Sequence, residues 1–470
     1  MVNKTNIQAA QRTATPSTIS IPKLRKDFKD RVIAPGDPDY DKARTVFYGG
    51  VDRHPAVIIK VADPNDVSRV VNLARESGLE LAIRSGGHSS VGHSVTEGGI
   101  LMDLSNMKDL QIDPESRTAW AETGLTAGEF TTAAAAHGLA VGFGDTGSVG
   151  IGGLTLGGGV GYLVRKYGLT IDSLLAAEVV TADGQIRHVD EQTHPDLFWA
   201  IRGGGGNFGV ATRFKFRLYE VPSVVGGMLI LPATPETIAG FIAESEAAPE
   251  ELSGIGNVMF APPMPFIPPQ AHGKLIIMAF LVYAGEAEAG QRALAPFRAL
   301  ATPLADMLKP MALPEIYPPE EGEYHPVAAA RTMFVDKIDL PVAKRIVDHL
   351  QASTALMKVA QLRVLGGAMA RVPVDATAFV HRKSKIMVNL AALYENLEEK
   401  ATHEAWAADF ASVLLQSDNG AYVNFLGDEG EARIRAAYPG STWDRLAEVK
   451  ARYDPNNLFR LNQNIAPAGA

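Results

Sequence analysis

Half of the stretch from Gly142 to Gly161, GFGDTGSVGIGGLTLGGGVG, is glycine. Glycine is about 1 kcal/mol worse than alanine inside a helix and weakens strands, so this density predicts neither element. A buried loop of this kind brings main-chain N–H groups against a ligand. A second stretch, Arg84-Ser85-Gly86-Gly87-His88-Ser89, offers an imidazole on a loop whose two glycines lack Cβ atoms. Its backbone can turn sharply and come close to a flat molecule. The two stretches are expected to lie side by side as walls of one cofactor site.

The pattern around them alternates strands and helices. Ala56 to Val61 reads as a strand, and Asp63-Pro64 caps a helix that buries Val67, Val70, Val71 and Ala74 and ends at Gly78. Leu81 to Ile83 is the next strand, so the His88 loop leaves a strand end, where ligands commonly sit in α/β layers. Ile100 to Leu104 and Thr118 to Ala121 follow as strands, with an alanine-rich helix from Thr126 to His137. Asp183-Gly184 joins Ala177–Thr181 to Gln185–Val189 in a hairpin, with a type I′ turn expected. Pro195 to Ile201 is a helix and Arg213 to Tyr219 a half-buried strand.

At Val221-Pro222 the texture changes. Helices such as Pro235–Glu246 now alternate with long strands, Lys274–Tyr283, Gln361–Leu365 and Lys385–Leu393. This predicts a second domain, an antiparallel sheet flanked by helices, within an α+β protein. The proline-laden loops Pro262–Pro269 and Pro314–Pro326 are either borders of a substrate entrance or solvated connectors. The second of them carries Glu320, Glu321, Glu323, Tyr324 and His325.

Several function classes fall away. The net charge of -9 leaves no basic excess for nucleic acid. The sequence G-x-G-x-x-G occurs at Gly142–Gly147 and Gly204–Gly209, but neither copy sits in the strand-turn-helix order of a dinucleotide fold. No P-loop and no His-Glu-x-x-His occur, and His88 with His93 lacks a third ligand nearby, so no metal site is expected. The longest apolar run, Leu275–Ala284, is too short to span a membrane, and the polar first twenty residues contain no signal-type core. The expectation is a cytoplasmic protein with a loose N-terminal arm and no membrane partner.

Arg84 to Ser89, Gly98-Gly99-Ile100, Gly150 to Gly161 and Arg165-Lys166-Tyr167-Gly168-Leu169 together resemble one known family. The resemblance continues through Asp196 to Gly205, Asn207-Phe208-Gly209-Val210, Tyr453 to Phe459 and Asn462-Gln463. The family is the FAD-linked oxidases of the vanillyl-alcohol-oxidase superfamily, with a PCMH-type FAD-binding domain. The sequence is most similar to its bacterial berberine-bridge-enzyme-like branch.

That resemblance implies a two-part FAD-binding domain from residues 1–220 and 417–470, with a substrate domain at 221–416 whose sheet covers the flavin. It implies FAD held covalently through an 8α-histidyl bond to His88. Arg84, Ser85, Gly86, Gly87 and Ser89 would form the surrounding loop. Thr146, Gly147, Ser148, Val149, Gly152, Gly153, Gly157, Gly158 and Gly161 would form the second wall. Asn207, Gly209, Val210, Asn424 and Asn462 would complete the cofactor site. Relatives with a second, cysteinyl link carry cysteine where Thr146 stands, and this chain has no cysteine at all. Val149 falls where a small side chain admits oxygen, which favours an oxidase, although a packing valine would look the same.

The glutamate base of plant-like relatives is replaced by Arg371, five residues beyond Gly366. The remaining catalytic candidates are Tyr422, which would need a nearby positive charge to act as a base, with Gln361 and Arg363. The resemblance implies hydride transfer from a C–H beside an alcohol or amine to flavin N5, with O2 returning the flavin to its oxidised form and giving H2O2. The alternatives are a dehydrogenase using another acceptor, or a flavin-bearing binding protein without turnover. Substrate and oligomeric state stay open.

Overall fold

A computed structural model describes residues 19–317 and 324–469. The expected N-terminal arm, residues 1–18, and Glu320, Glu321 and Glu323 lie outside the described residues. The first part of the chain builds two sheets. One has the strand order Val32–Ile33, Val57–Lys60, Ile100–Asp103, Leu81–Arg84, with its last three strands parallel. The helix Pro64–Ser77 covers it. Asp63 accepts the N–H groups of Asn65 and Asp66, Gly78 closes the helix at φ +69°, and Val67, Val70, Val71 and Ala74 face the strands.

The second sheet is antiparallel, in the order Leu110–Asp113, Thr118–Glu122, Val210–Arg217, Leu174–Val180, Ile186–Asp190. The expected hairpin between its last two strands is present, but its turn differs. Among the described residues Asp183 does not take positive φ; only Gly184 does, at +78°. The Asp183 carboxylate accepts from the Thr181 hydroxyl at 2.6 Å and from the Gln185 N–H at 3.1 Å. These bonds close the turn without a positive φ at Asp183, so the left-handed residue is glycine alone.

The third sheet is antiparallel throughout. Its order is Ala305–Asp306, Val224–Pro232, Leu275–Tyr283, Leu252–Phe260, Met357–Val364, Ile386–Tyr394, Val327–Val335, with Lys309–Met311 beside Val224–Pro232. Alternation divides each strand between two faces. Leu362, Val388 and Leu390 join Phe241, Phe297, Ile346 and Phe410 from four helices in one core on the outer face. Gln361, Arg363, Met387 and Asn389 are left for the inner face, which meets the first part of the chain.

The last fifty residues return to that first part. Ala421, Leu426, Tyr438, Trp443 and Ile465 share a core with Phe130, Phe143, Phe214 and Phe216. The return is locked by a charge pair out of contact with solvent. The Lys450 ammonium donates to Asp454 Oδ2 at 2.6 Å and to the carbonyls of Asn207 at 2.7 Å and Phe459 at 2.9 Å, using all three of its donors. Burial pulls the Lys450 pKa down. Asp454 also accepts the N–H groups of Leu458 and Phe459.

One expectation about the glycine stretch is corrected: Ile151–Gly157 is a short helix. Low propensity is overridden because the segment is almost wholly buried and its bare glycines let neighbours in, with Gly152 against Ser85 and Gly157 against Asn424. For the buried pair, replacing Lys450 with methionine strands a carboxylate and two carbonyls. The expected cost is about 3–5 kcal/mol, read as a fall in the urea midpoint; an unchanged midpoint contradicts it.

Candidate active site

The two stretches do meet. A Cβ on Gly86 would lie 2.2 Å from the Gly150 nitrogen, and one on Gly150 would lie 2.2 Å from the Gly86 nitrogen, so only glycine at both positions permits the contact. Ser85 fastens it: its hydroxyl donates to the Thr123 carbonyl at 2.5 Å and accepts the Gly152 N–H at 3.3 Å. Arg84 holds the loop from behind. Its guanidinium donates to Asp103 Oδ2 at 2.8 Å and to the carbonyls of Ala43 and Thr45. Arg84 therefore lies outside the cavity lining and supports the loop from its strand.

Beside this contact lies a cavity of about 480 Å³. Of the expected cofactor residues, Ser85, Gly86, Gly87, His88 and Ser89 line it from the first loop, and Thr146, Val149, Gly152 and Gly153 from the second. Asn207, Gly209, Val210, Asn424 and Asn462 line it from the far side. Gly147, Ser148, Gly157, Gly158 and Gly161 stand behind the lining. The four glycines lack side chains for packing: a Cβ would crowd Tyr317 at Gly147, Asn424 at Gly157, Tyr422 and Phe379 at Gly158, and the Phe143 carbonyl at Gly161. Ser148 contributes from that second row, with its hydroxyl 3.0 Å from His88 Nε2. The His88 ring stacks on Phe47, centroids 4.3 Å apart.

The inner face of the large sheet supplies the opposite wall. Arg363, buried, ion-pairs with Asp145 and donates to Gln361 Oε1 from both Nε, at 3.2 Å, and Nη2, at 2.6 Å. Its Nη1 donates to the Val160 carbonyl at 3.3 Å. Gln361 passes a hydrogen bond on to Asn257 Oδ1 at 3.0 Å. Arg371, the position matching the plant-like glutamate, is exposed, pairs with Glu250 and takes no part in the lining.

Tyr422 lines the cavity, but as a buried phenol. Its oxygen accepts the Gly159 N–H and the Asn424 amide, both at 2.9 Å, yet burial outweighs these and the Arg363 charge and raises its pKa. Burial thus opposes the charged phenolate that a base at Tyr422 would need, while the Arg363 charge and the two hydrogen bonds favour it.

A flavin fits what the residues offer. Gly153 and Gly206 line the cavity with open space where a Cβ would stand, so bare main chain faces the void. Asn462 lines it with its Oδ1 buried and without a partner. The family description "FAD binding domain" matches residues 55–190, and "Berberine and berberine like" matches residues 421–466. The FAD-linked oxidoreductase YvdP of Bacillus subtilis is 30% identical over 456 residues, covering 93% of this chain and 98% of its own. The chain belongs to the berberine-bridge-enzyme-like FAD-linked oxidoreductases. It is an enzyme of that family, and FAD is its cofactor.

Other relatives of this FAD-linked oxidoreductase are named for particular substrates. The (R)-6-hydroxynicotine oxidase of Paenarthrobacter nicotinovorans is 28% identical, covering 98% of this chain and 100% of its own. The crystal structure of 6-hydroxy-D-nicotine oxidase from Arthrobacter nicotinovorans matches with a TM-score of 0.83 at 25% identity, covering 92% of this chain and 97% of that one. Xylooligosaccharide oxidase from Myceliophthora thermophila matches with a TM-score of 0.83 at 23% identity, over 96% and 100% of the two chains. This last likeness concerns the fold.

The sequence reading missed Asp145, Asn389, Phe47, Tyr48 and His93, all of which line the cavity. Two had a signal. Asp145 is the only charged residue between Gly142 and Gly161, and Asn389 is the only polar residue between Ile386 and Leu393. His93 is held neutral, with its pKa lowered to about 4 mainly by burial and also by the Arg53 charge. The unfolded chain binds a proton there at a higher pH than the folded one. Stability from this group is thus complete above about pH 6.5 and is lost as pH falls toward 4, by about 3 kcal/mol in all. His93→Leu is expected to flatten that part of the acid side of the stability–pH curve, measured by urea unfolding between pH 7 and 4.5. An equally steep curve contradicts this assignment.

Proposed function

We propose that the enzyme is a covalent FAD-dependent oxidase of small molecules, with the flavin attached through an 8α-histidyl bond to His88. When bound, the flavin supplies hydride acceptance at N5 from a substrate C–H beside an oxygen or nitrogen, and return of the electrons to O2 as H2O2. The observation that carries this reading is the placement of His88, the one histidine of the glycine loop, in the same cavity as Gln361 and Arg363 on the opposite wall. The stack on Phe47 and the Ser148 hydroxyl fix the imidazole plane, which a bond to a rigid ring requires.

The protein's own part is positional. Gln361 and Arg363 orient the substrate, and Tyr422 lines the cavity beside them with its phenol oxygen held by the Gly159 N–H and the Asn424 amide. Water is limited by the aromatic wall of Phe47, Tyr48 and Phe425. With no cysteine in the chain, His88 is the single anchor, and Val149, which lines the same cavity, is the proposed neighbour of the oxygen path.

Acid precipitation tests the attachment. The yellow colour is expected to stay in the wild-type pellet and to wash out of His88→Ala; colour lost from the wild type overturns the bond. Oxidase and dehydrogenase separate on a second measurement. After anaerobic photoreduction and admission of air, the flavin absorbance should return rapidly with stoichiometric H2O2. A slow return, with a faster one on adding an artificial electron acceptor, favours the dehydrogenase reading.

A further inference from the structure

The inner wall carries a chain of hydrogen bonds whose direction is set at one end. Arginine has five N–H donors and no acceptor. Arg363 commits four of them, two to Gln361 Oε1, one to Asp145 and one to the Val160 carbonyl. The Gln361 oxygen must therefore face Arg363, and its amide nitrogen must face the rest of the sheet. That nitrogen donates to Asn257 Oδ1, and Asn257 Nδ2 donates onward to the Met278 carbonyl at 3.2 Å. Every amide from Asp145 to Met278 points the same way.

Asn389 stands outside this chain. It pairs in register with Gln361 on the neighbouring strand, so the two side chains share the inner face roughly 5 Å apart. Its Oδ1 is buried with no hydrogen-bond partner, and it lines the cavity. A buried amide oxygen without a partner costs about 1–3 kcal/mol. The wall thus presents a donor, the second N–H of Gln361 Nε2, beside an unmet acceptor, Asn389 Oδ1.

Charge narrows the choice further. Among the described residues lining the cavity, Asp145 is the only carboxylate and Arg363 the only guanidinium, and no lysine takes part. They are spent on each other. Among the described residues beside Gln361 and Asn389, an ammonium substrate would find no free carboxylate, and a carboxylate substrate no free cation. Burying either unpaired is costly.

We infer that the enzyme takes an uncharged substrate bearing a hydrogen-bond acceptor and donor side by side, as in a hydroxyl or carboxamide, read by Gln361 and Asn389. Asp145 is the positioning residue that fixes this polarity through Arg363. The inference rests on reading the cavity as the oxidase's substrate site, and it selects an alcohol or a neutral amide-bearing compound over an amine salt or an acid.

The test uses three probes of one shape: benzamide, benzoate and benzylammonium. Each is titrated into the flavin-loaded protein, and binding is read from the flavin difference spectrum and from the shift in melting temperature. Benzamide is expected to bind wild type most tightly. Asp145→Asn leaves the Arg363 charge unpaired, so benzoate should gain about tenfold or more and overtake benzamide. Asn389→Leu should weaken benzamide about tenfold and leave benzoate unchanged, which keeps the idea testable if Asp145→Asn fails to fold. Tighter binding of either ion by wild type overturns the inference. So does an unchanged ranking in both variants, or binding of none of the three. Melting shifts need neither turnover nor a covalent flavin, so a failed ranking is distinct from a failed oxidase reading, which shows as colour lost in acid or absent peroxide.

Discussion

The site depends on a contact that only two glycines can make. Gly86 and Gly150 meet main chain to main chain, and a single methyl group on either would fall 2.2 Å from the other's nitrogen. This close approach brings His88 beside the second glycine stretch. The rest holds that contact from both sides. Arg84 ties the first loop to Asp103 on the adjacent parallel strand. The second stretch is stitched to the start of the helix Ala127–Ala135, where the N–H groups of Ala127 and Gly128 donate to the carbonyls of Val149 and Gly147 and that of Ile151 to Leu125.

Polar bonds join the large sheet to the glycine stretch across the cavity. Arg363 reaches both Asp145 and the Val160 carbonyl, which bracket the helix Ile151–Gly157. Arg165, a few residues on, is buried and donates to the carbonyls of Ser245, Leu252 and Ala248. The two walls are therefore fixed relative to each other by guanidinium groups, whose planar, multiple donors suit carbonyls and carboxylates presented at set angles. This fixed gap lets a wall of amides act as a selective surface, because hydrogen-bond discrimination depends on donors and acceptors that do not move to suit a wrong partner.

The elements legible in the sequence were those governed by local chemistry. Asp63-Pro64 and Gly78 bracket their helix, and the half-buried pattern from Arg213 marks its strand. Family motifs were equally legible, since His88, Asn207 and Asn424 sit in short runs whose spacing is itself the signal. Partners brought together by tertiary contact could not be read. Asp145 to Arg363 spans more than two hundred positions, and Tyr422's pKa depends on burial that no local pattern encodes. The helix within the glycine stretch was missed for the same reason, because packing against Ser85 and Asn424 decides it against propensity. The Asp183 turn failed on a smaller scale, where side-chain bonds to Thr181 and Gln185 replaced a left-handed backbone.

The claim on which the rest turns is that His88 carries the flavin in the cavity beneath the Arg363 wall. Tryptic digestion of the native protein followed by fragmentation mass spectrometry tests it most directly, because cleavage after Arg84 and Lys108 releases one peptide holding both His88 and His93. The predicted result is a flavin-mass adduct on this peptide, with fragment ions assigning it to His88. An adduct on His93 or on another peptide, or only the unmodified peptide from yellow protein, would contradict it.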